Sequence, residues 1–291
     1  MITRRGLAAW AGSDRIPIVR ARLAQLATLP VTRASAELAL FVAGVEVECA
    51  LLPALDDELV EVIGDRARAR VSVLPVGDAL IVCDRADALE QPELVCWPDD
   101  SSFHLASAIP PGRRGSWLDL GCGSAVAPLM RPALADRIVV SDLNPRAVRF
   151  AQLGARLSNV RIETLMGDLA VSPADLITCN APIPGDRGSA IWRATEEGFV
   201  TRLFEAARSA LLPNGLIVVH SALDAIPPTL PGESVIVAYT PADVPRPFAI
   251  TWWSPGSETR QIRARRLLDP SRPHLDHHDR EAALAGNLPA L

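Results

Sequence analysis

Lysine is absent from the 291 residues, so every basic side chain is an arginine, and with abundant alanine and proline this looks like codon bias rather than function. The 29 arginines are outnumbered by 34 acidic residues, for a formal charge of −5. That lack of basic excess argues against a protein that grips nucleic acid mainly through its phosphates. No apolar run approaches membrane-spanning length. The stretch after Arg4-Arg5 is short and ends at Ser13-Asp14-Arg15, so a signal peptide is not expected and the cytoplasm is the default location. Cysteine is sparse and scattered: Cys49, Cys83, Cys96, Cys122 and Cys179 form no Cys-x-x-Cys pair, which leaves buried reduced thiols rather than a zinc site or a disulfide framework. The His274 to Asp279 run sits in a proline-flanked tail with no distant ligand set, so no metal is expected there.

What is present is a change of rhythm along the chain. Residues 15–64 read as helices, with Ile16, Ile18, Val19, Leu23 and Leu26 at helical spacing, a second stretch through Ala36, Leu38, Leu40 and Phe41, and a third from Leu55 to Ile63. From Ala67 to Val73 apolar residues alternate with Arg66, Arg68, Arg70 and Ser72, the period of a half-buried strand, and Gly77-Asp78 turns it into Leu80 to Cys83. The arginine stripe reads as a solvated strand face. Residues 1–98 are therefore expected to form a small α+β accessory domain, winged-helix-like in its helices and hairpin.

From residue 116 strands and helices alternate. Seven strand candidates emerge: Trp117 to Leu120, Ile138 to Ser141, Ile162 to Met166, Leu176 to Cys179, Leu216 to His220, Val235 to Tyr239 and Phe248 to Trp253. Helices are expected at Ala125 to Leu134, Pro145 to Leu157 and Glu196 to Leu212. This βαβ rhythm implies an α/β, Rossmann-like, mostly parallel sheet covered on both faces. The last two strands are too close for a crossover and should form an antiparallel hairpin. The domain is expected to span 99–268, followed by a loosely packed tail, 269–291, with one short helix near Glu281.

Ligands of such sheets bind outside the carboxyl ends of the strands. Four candidate strands end there in polar or glycine-rich residues. Asp119-Leu120-Gly121-Cys122-Gly123 closes one with a turn whose glycines let backbone approach a ligand. A nicotinamide site is disfavoured because Val126 stands where a third glycine is required. Asp142 ends the next strand 19 positions after Gly123, near the spacing at which an acid accepts two ribose hydroxyls, although capping the following helix is its plainer role. Gly167-Asp168-Leu169 and Asn180-Ala181-Pro182-Ile183 end the other two.

In this joint order, residues 116–220 resemble the class I S-adenosylmethionine-dependent methyltransferases, especially the branch of release-factor glutamine and ribosomal RNA guanine methyltransferases. Asp142-Leu143-Asn144-Pro145-Arg146-Ala147, Glu197-Gly198-Phe199 and Leu212-Pro213-Asn214-Gly215 are similar to that branch as well. The resemblance implies S-adenosylmethionine as cofactor. It implies that Asp119, Gly121, Cys122 and Gly123 line the methionine end, that Asp142 with Leu143 and Asn144 holds the ribose, and that Gly167, Asp168 and Leu169 frame the adenine. Asn180, Ala181 and Pro182 become the catalytic segment. The branch usually carries Asn-Pro-Pro-Tyr, whose ring packs on a planar substrate; here Ile183 replaces the ring, which makes a flipped nucleobase a poorer acceptor. Substrate walls are expected from Ile183, Arg187 and Trp192 and from Ser101, Ser102 and Phe103. The reading is N-methylation of a small molecule or protein side chain. RNA base methylation is the alternative, followed by an inactive scaffold and a nicotinamide-dependent oxidoreductase.

Overall fold

The computed structural model describes residues 31–33, 35–53, 55–85, 87–88, 92–185, 194–195, 197–241 and 244–291. The helical pattern read over 15–30 lies outside them, as do Arg187 and Trp192.

The amino-terminal part holds helix α1 (Ala36–Phe41), a three-stranded antiparallel sheet of β1 (Val47–Glu48), β3 (Arg66–Ala69) and β2 (Val60–Ile63), and the hairpin β4 (Ser72–Val76)–β5 (Ala79–Cys83). The helix read over Leu55 to Ile63 is corrected: Val60–Ile63 is a strand. Val62 and Ile63 are exposed, so the apolar residues there do not mark a buried helix face, and pairing with β3 decides the conformation. The hairpin packs on the large domain. Leu80 N–H donates to Ser158 Oγ at 2.9 Å, and Gly154 lies so close to the Leu80 carbonyl that a Cβ would come within 3.0 Å. Beyond β5, buried Asp84 accepts from Val95 N–H and from Arg146, joining this part to the first turn of the helix beginning at Pro145.

The large domain is built on an eight-stranded sheet. Helix α2 (Asp100–Ala108) precedes β6 (Arg114–Leu120), then α3 (Val126–Met130), β7 (Ala135–Asp142), α4 (Pro145–Leu157), β8 (Glu163–Met166), β9 (Ala174–Asn180), a small parallel pair β10 (Ile183–Pro184) with β11 (Ala194–Thr195), α5 (Phe199–Ala210), β12 (Leu211–Ala222), β13 (Glu233–Tyr239) and β14 (Phe248–Ser254). Helix α3 is shorter than the pattern predicts because Pro132 stops it and a 3₁₀ turn follows. The sheet order is β8-β7-β6-β9-β12-β14-β13-β15, with β6, β7, β8, β9 and β12 parallel and β14 reversed between β12 and β13. The seven expected strands are all present, and the last two pair antiparallel as expected.

The eighth, β15 (Arg260–Arg265), runs parallel to β13 at the edge and was not foreseen. Its arginines mask the pattern, because only Ile262 and Ala264 offer apolar side chains. The tail is also corrected: it is packed. Helix α6 (His277–Leu284) starts in a capping box made by Asp276 and Asp279, Leu275 is fully buried, and Arg265 N–H donates to the Pro289 carbonyl. Arg266 donates to Asp279 at 2.7 Å with both side chains almost fully buried.

Breaking a buried ion pair from one side leaves an uncompensated charge, which typically costs about 3–5 kcal/mol. Asp279→Ala is expected to lose stability of that order, read as a lower urea midpoint. A midpoint equal to the parent's would show that other contacts hold the tail.

Candidate functional site at the carboxyl edge of the sheet

Strand register puts the four predicted segments on one edge. Leu120 lies opposite Ser141 and Cys179, and Asp142 lies opposite Met166, so Gly121, Asp142, Gly167 and Asn180 follow four neighbouring parallel strand ends. Asp142 ties three of these ends together. Its carboxylate accepts from Gly123 N–H at 2.8 Å and from Asn144 N–H at 2.8 Å, while its own carbonyl accepts from Gly167 N–H at 3.1 Å. Burial raises its pKa, and these amide donors act against that rise. Asn144 caps α4 through Arg146 N–H, so the cap role offered for Asp142 belongs to Asn144.

Gly121 and Gly123 have φ of +62° and +51°, the left-handed region where a side chain would be strained, and a Cβ on Gly123 would meet nothing within 4 Å. Cys122 and Leu169 stand as neighbours of these turns, Cys122 buried and Leu169 at φ +50°. Leu143 is exposed. Asp168 is half-exposed and pairs with Arg202 of α5 at 3.0 Å. Ile183 is 37% exposed, and Phe103 stacks on His274 of the tail.

Alternation along the strands sends Asp119, Thr178, His220 and Tyr239 to the face that α2 covers. Asp119 is buried and accepts from Thr178 Oγ1 at 2.5 Å; Thr178 in turn accepts from Trp117 Nε1 at 2.7 Å. Desolvation lifts the Asp119 carboxyl to about 7, with the Thr178 hydrogen bond opposing and the Asp142 charge adding to the rise. At Asn180 sequence reasoning found the amide but missed most of its company. Its Nδ2 donates to Ser101 Oγ at 2.7 Å, and its Oδ1 lies 2.9 Å from His220 Nδ1. His220 Nε2 is 2.8 Å from the hydroxyl of Tyr239, the chain's single tyrosine. Asp99 caps α2 by accepting from the Ser101 N–H and hydroxyl. Burial lowers His220 to about 4, so the ring is neutral at pH 7. The available signal was a histidine ending the apolar run Leu216 to His220.

Residues 96–232 match the methyltransferase small domain family. The match covers a little under half of the chain and takes in all four strand ends. No curated protein matches it. Solved structures resemble it distantly. Trm5b of Pyrococcus abyssi is 14% identical over 68% of this chain and 62% of that one, with a TM-score of 0.46. The tRNA m1G37 methyltransferase of M. jannaschii is 10% identical over 65% and 58%, at 0.44. The ribosomal protein L11 methylase of Lactobacillus delbrueckii subsp. bulgaricus is 13% identical over 54% and 77%, at 0.39. The chain thus spans only about three fifths of the length of the first two.

That match implies S-adenosylmethionine as the cofactor. The edge fits it: open space over Gly123, a backbone that only glycine adopts without strain, and the Asp142 carboxyl at the neighbouring strand end. Among the described residues no helix is long and apolar enough to cross a membrane.

Asp119 holds its proton in the folded methyltransferase up to about 7 but loses it near 3.8 when unfolded, so stability must fall as pH rises through that interval. Urea unfolding of Asp119→Asn against the parent should show a gap in the variant's favour that widens from pH 4 to pH 7. Parallel pH curves would mean that the native carboxyl is already ionised.

Proposed function

We propose that this enzyme transfers a methyl group to a nitrogen atom of a small molecule or protein side chain held against Asn180. The observation that carries the reading is the Asn180 amide, fixed at both ends at the tip of β9, next to the strand that ends in the glycine turn and two strands from the one that ends in Asp142. S-adenosylmethionine supplies a methyl group on a sulfonium, already electrophilic, so alignment matters more than a strong base. Asp119, Gly121, Cys122 and Gly123 take the methionine end. The oxygens of Asp142 each keep a lone pair beyond the amides they accept from, which suits two ribose hydroxyls, with Leu143 and Asn144 alongside. Gly167, Asp168 and Leu169 frame the adenine, where the Arg202 pair leaves the other Asp168 oxygen to accept.

On the acceptor side, Asn180 Oδ1 and the carbonyl of Ala181 accept from the substrate N–H, orient its lone pair, and stabilise positive charge as it develops. Pro182 fixes the turn beyond them. A neutral His220 behind the amide adds no cation to oppose that charge. Ile183 and Phe103 are proposed as substrate walls, together with Arg187 and Trp192.

Two variants separate the roles. Asn180→Ala should lower turnover by about 10²–10³, the usual loss of one positioned group, with S-adenosylmethionine affinity by calorimetry within about twofold. Asp142→Ala should instead weaken that affinity by about tenfold, the value of one or two lost hydrogen bonds. Equal loss of both properties in Asn180→Ala would reject its role. Tritiated methyl transfer into metabolite, protein and RNA fractions of a cell extract identifies the acceptor. Label in the metabolite or protein fraction supports this reading, and label confined to RNA overturns it.

A further inference from the structure

The hydrogen bonds around Asn180 have only one consistent direction, and it can be deduced from one end. The Asp99 carboxylate can only accept, so the Ser101 hydroxyl, in contact with it, must donate its one proton there. Ser101 Oγ is then an acceptor toward Asn180, which turns Nδ2 to Ser101 and Oδ1 to His220. An amide oxygen cannot donate, so His220 carries its proton on Nδ1. In the neutral ring Nε2 must therefore accept, and the hydroxyl of Tyr239 supplies the proton. Tyr239, His220, Asn180, Ser101 and Asp99 form one directed row, drawn from β13, β12, β9 and the start of α2. The two rings at its inner end are wedged in place: His104 of α2 packs on Tyr239 with centroids 4.1 Å apart, and Phe248 stacks on His220 at 5.5 Å.

We propose that His220 is the positioning residue of the acceptor site, its Nδ1–H holding the Asn180 amide with oxygen in the accepting orientation, and that Tyr239 fixes the tautomer that makes this possible. The inference rests on the reading of Asn180 as the acceptor-side group. An amide turned over would present an N–H where the substrate N–H needs an acceptor, so the row selects between a productive and a repulsive arrangement of the same atoms. His220 touches no reacting atom in this scheme. It acts through Asn180 alone.

Nitrogen-15 spectra of the histidine-labelled full-length protein at pH 7 test the row without any substrate. With five histidines in the sequence, the His220 ring is assigned by its loss in His220→Asn. It should be the neutral Nδ1–H tautomer, and Tyr239→Phe should release it to a mixture. Turnover supplies the second readout, using the acceptor fraction that takes label from tritiated S-adenosylmethionine. His220→Leu should lose about tenfold or more, the effect of one hydrogen bond on a positioned group, while His220→Asn, whose amide N–H reaches the Nδ1 position, should recover most of it. S-adenosylmethionine affinity should stay unchanged in both. An Nε2–H tautomer in the parent protein, or His220→Asn no better than His220→Leu, overturns the proposal. Failure of the parent to bind S-adenosylmethionine would instead reject the reading of the site, and the spectra would still decide the direction of the row.

Discussion

One carboxylate organises the edge of this sheet. Asp142 gathers the turn after β6, the turn after β7 and the turn after β8 into a single cluster through two side-chain bonds and one main-chain bond. Each of those turns ends a different strand, and its amide groups need acceptors. An asparagine would offer one accepting side-chain oxygen where the carboxylate offers two. The cost is burial of a carboxyl group, visible in its raised pKa, and among the amides that offset this cost the Gly123 N–H draws the glycine turn to the end of β7. Stability of the edge and the shape of the cofactor site are therefore the same set of bonds.

The second constraint is the two-residue period of the strands. Asp119, Thr178, His220 and Tyr239 fall on one face because each lies an even number of positions from apolar residues, such as Trp117, Leu176, Val218 and Val237, that pack on that face. Polar groups at that depth need a polar cover, and α2 provides it with Ser101 and His104. Helix α2 is itself held from behind. Leu275 N–H donates to His104 Nδ1, His274 reaches Asp100, and Trp252 Nε1 donates to the Ala108 carbonyl at the helix end. The carboxyl-terminal tail is thus connected to Asn180 through two layers of contacts, although no tail residue bonds to that amide directly.

This explains which features the sequence made legible. The seven strands of the sheet were readable because burial on both faces demands long apolar runs, and their order could be inferred from the spacing between them. The four segments that close neighbouring strands stood out because glycine, aspartate and asparagine fall together there, each just after an apolar run. Strand β15 escaped because an edge strand needs little apolar surface and carries arginines instead, which also discourages pairing with another chain. Strand β2 hides in the stretch from Leu55 to Ile63 because Leu55, Leu59, Val62 and Ile63 also fit a helical spacing. The row behind Asn180 could not be foreseen, since Ser101, His220 and Tyr239 meet it across separations of 79 and 40 residues and a second link of 19. Only the sheet order brings them together.

The loss of an aromatic ring after Asn180 acquires a physical meaning in this setting. His104, Tyr239 and Phe248 supply rings close to the amide, yet each is at least nine-tenths buried and packed on its neighbours, so their faces are committed to holding His220. Phe103, which is only partly buried, already stacks on His274. The rings around His220 thus support the amide rather than offering a platform for a flat substrate. On the function proposed above, acceptors would be sorted by hydrogen bonding at Asn180 and Ala181, because a missing N–H would leave a fixed polar group unpaired, and such sites reject wrong acceptors more strongly than apolar contact can. Selection by donor geometry instead of stacking is consistent with an amine or amide nitrogen as the nucleophile. It also accounts for the four residues, Tyr239, His220, Ser101 and Asp99, that fix this single side-chain amide.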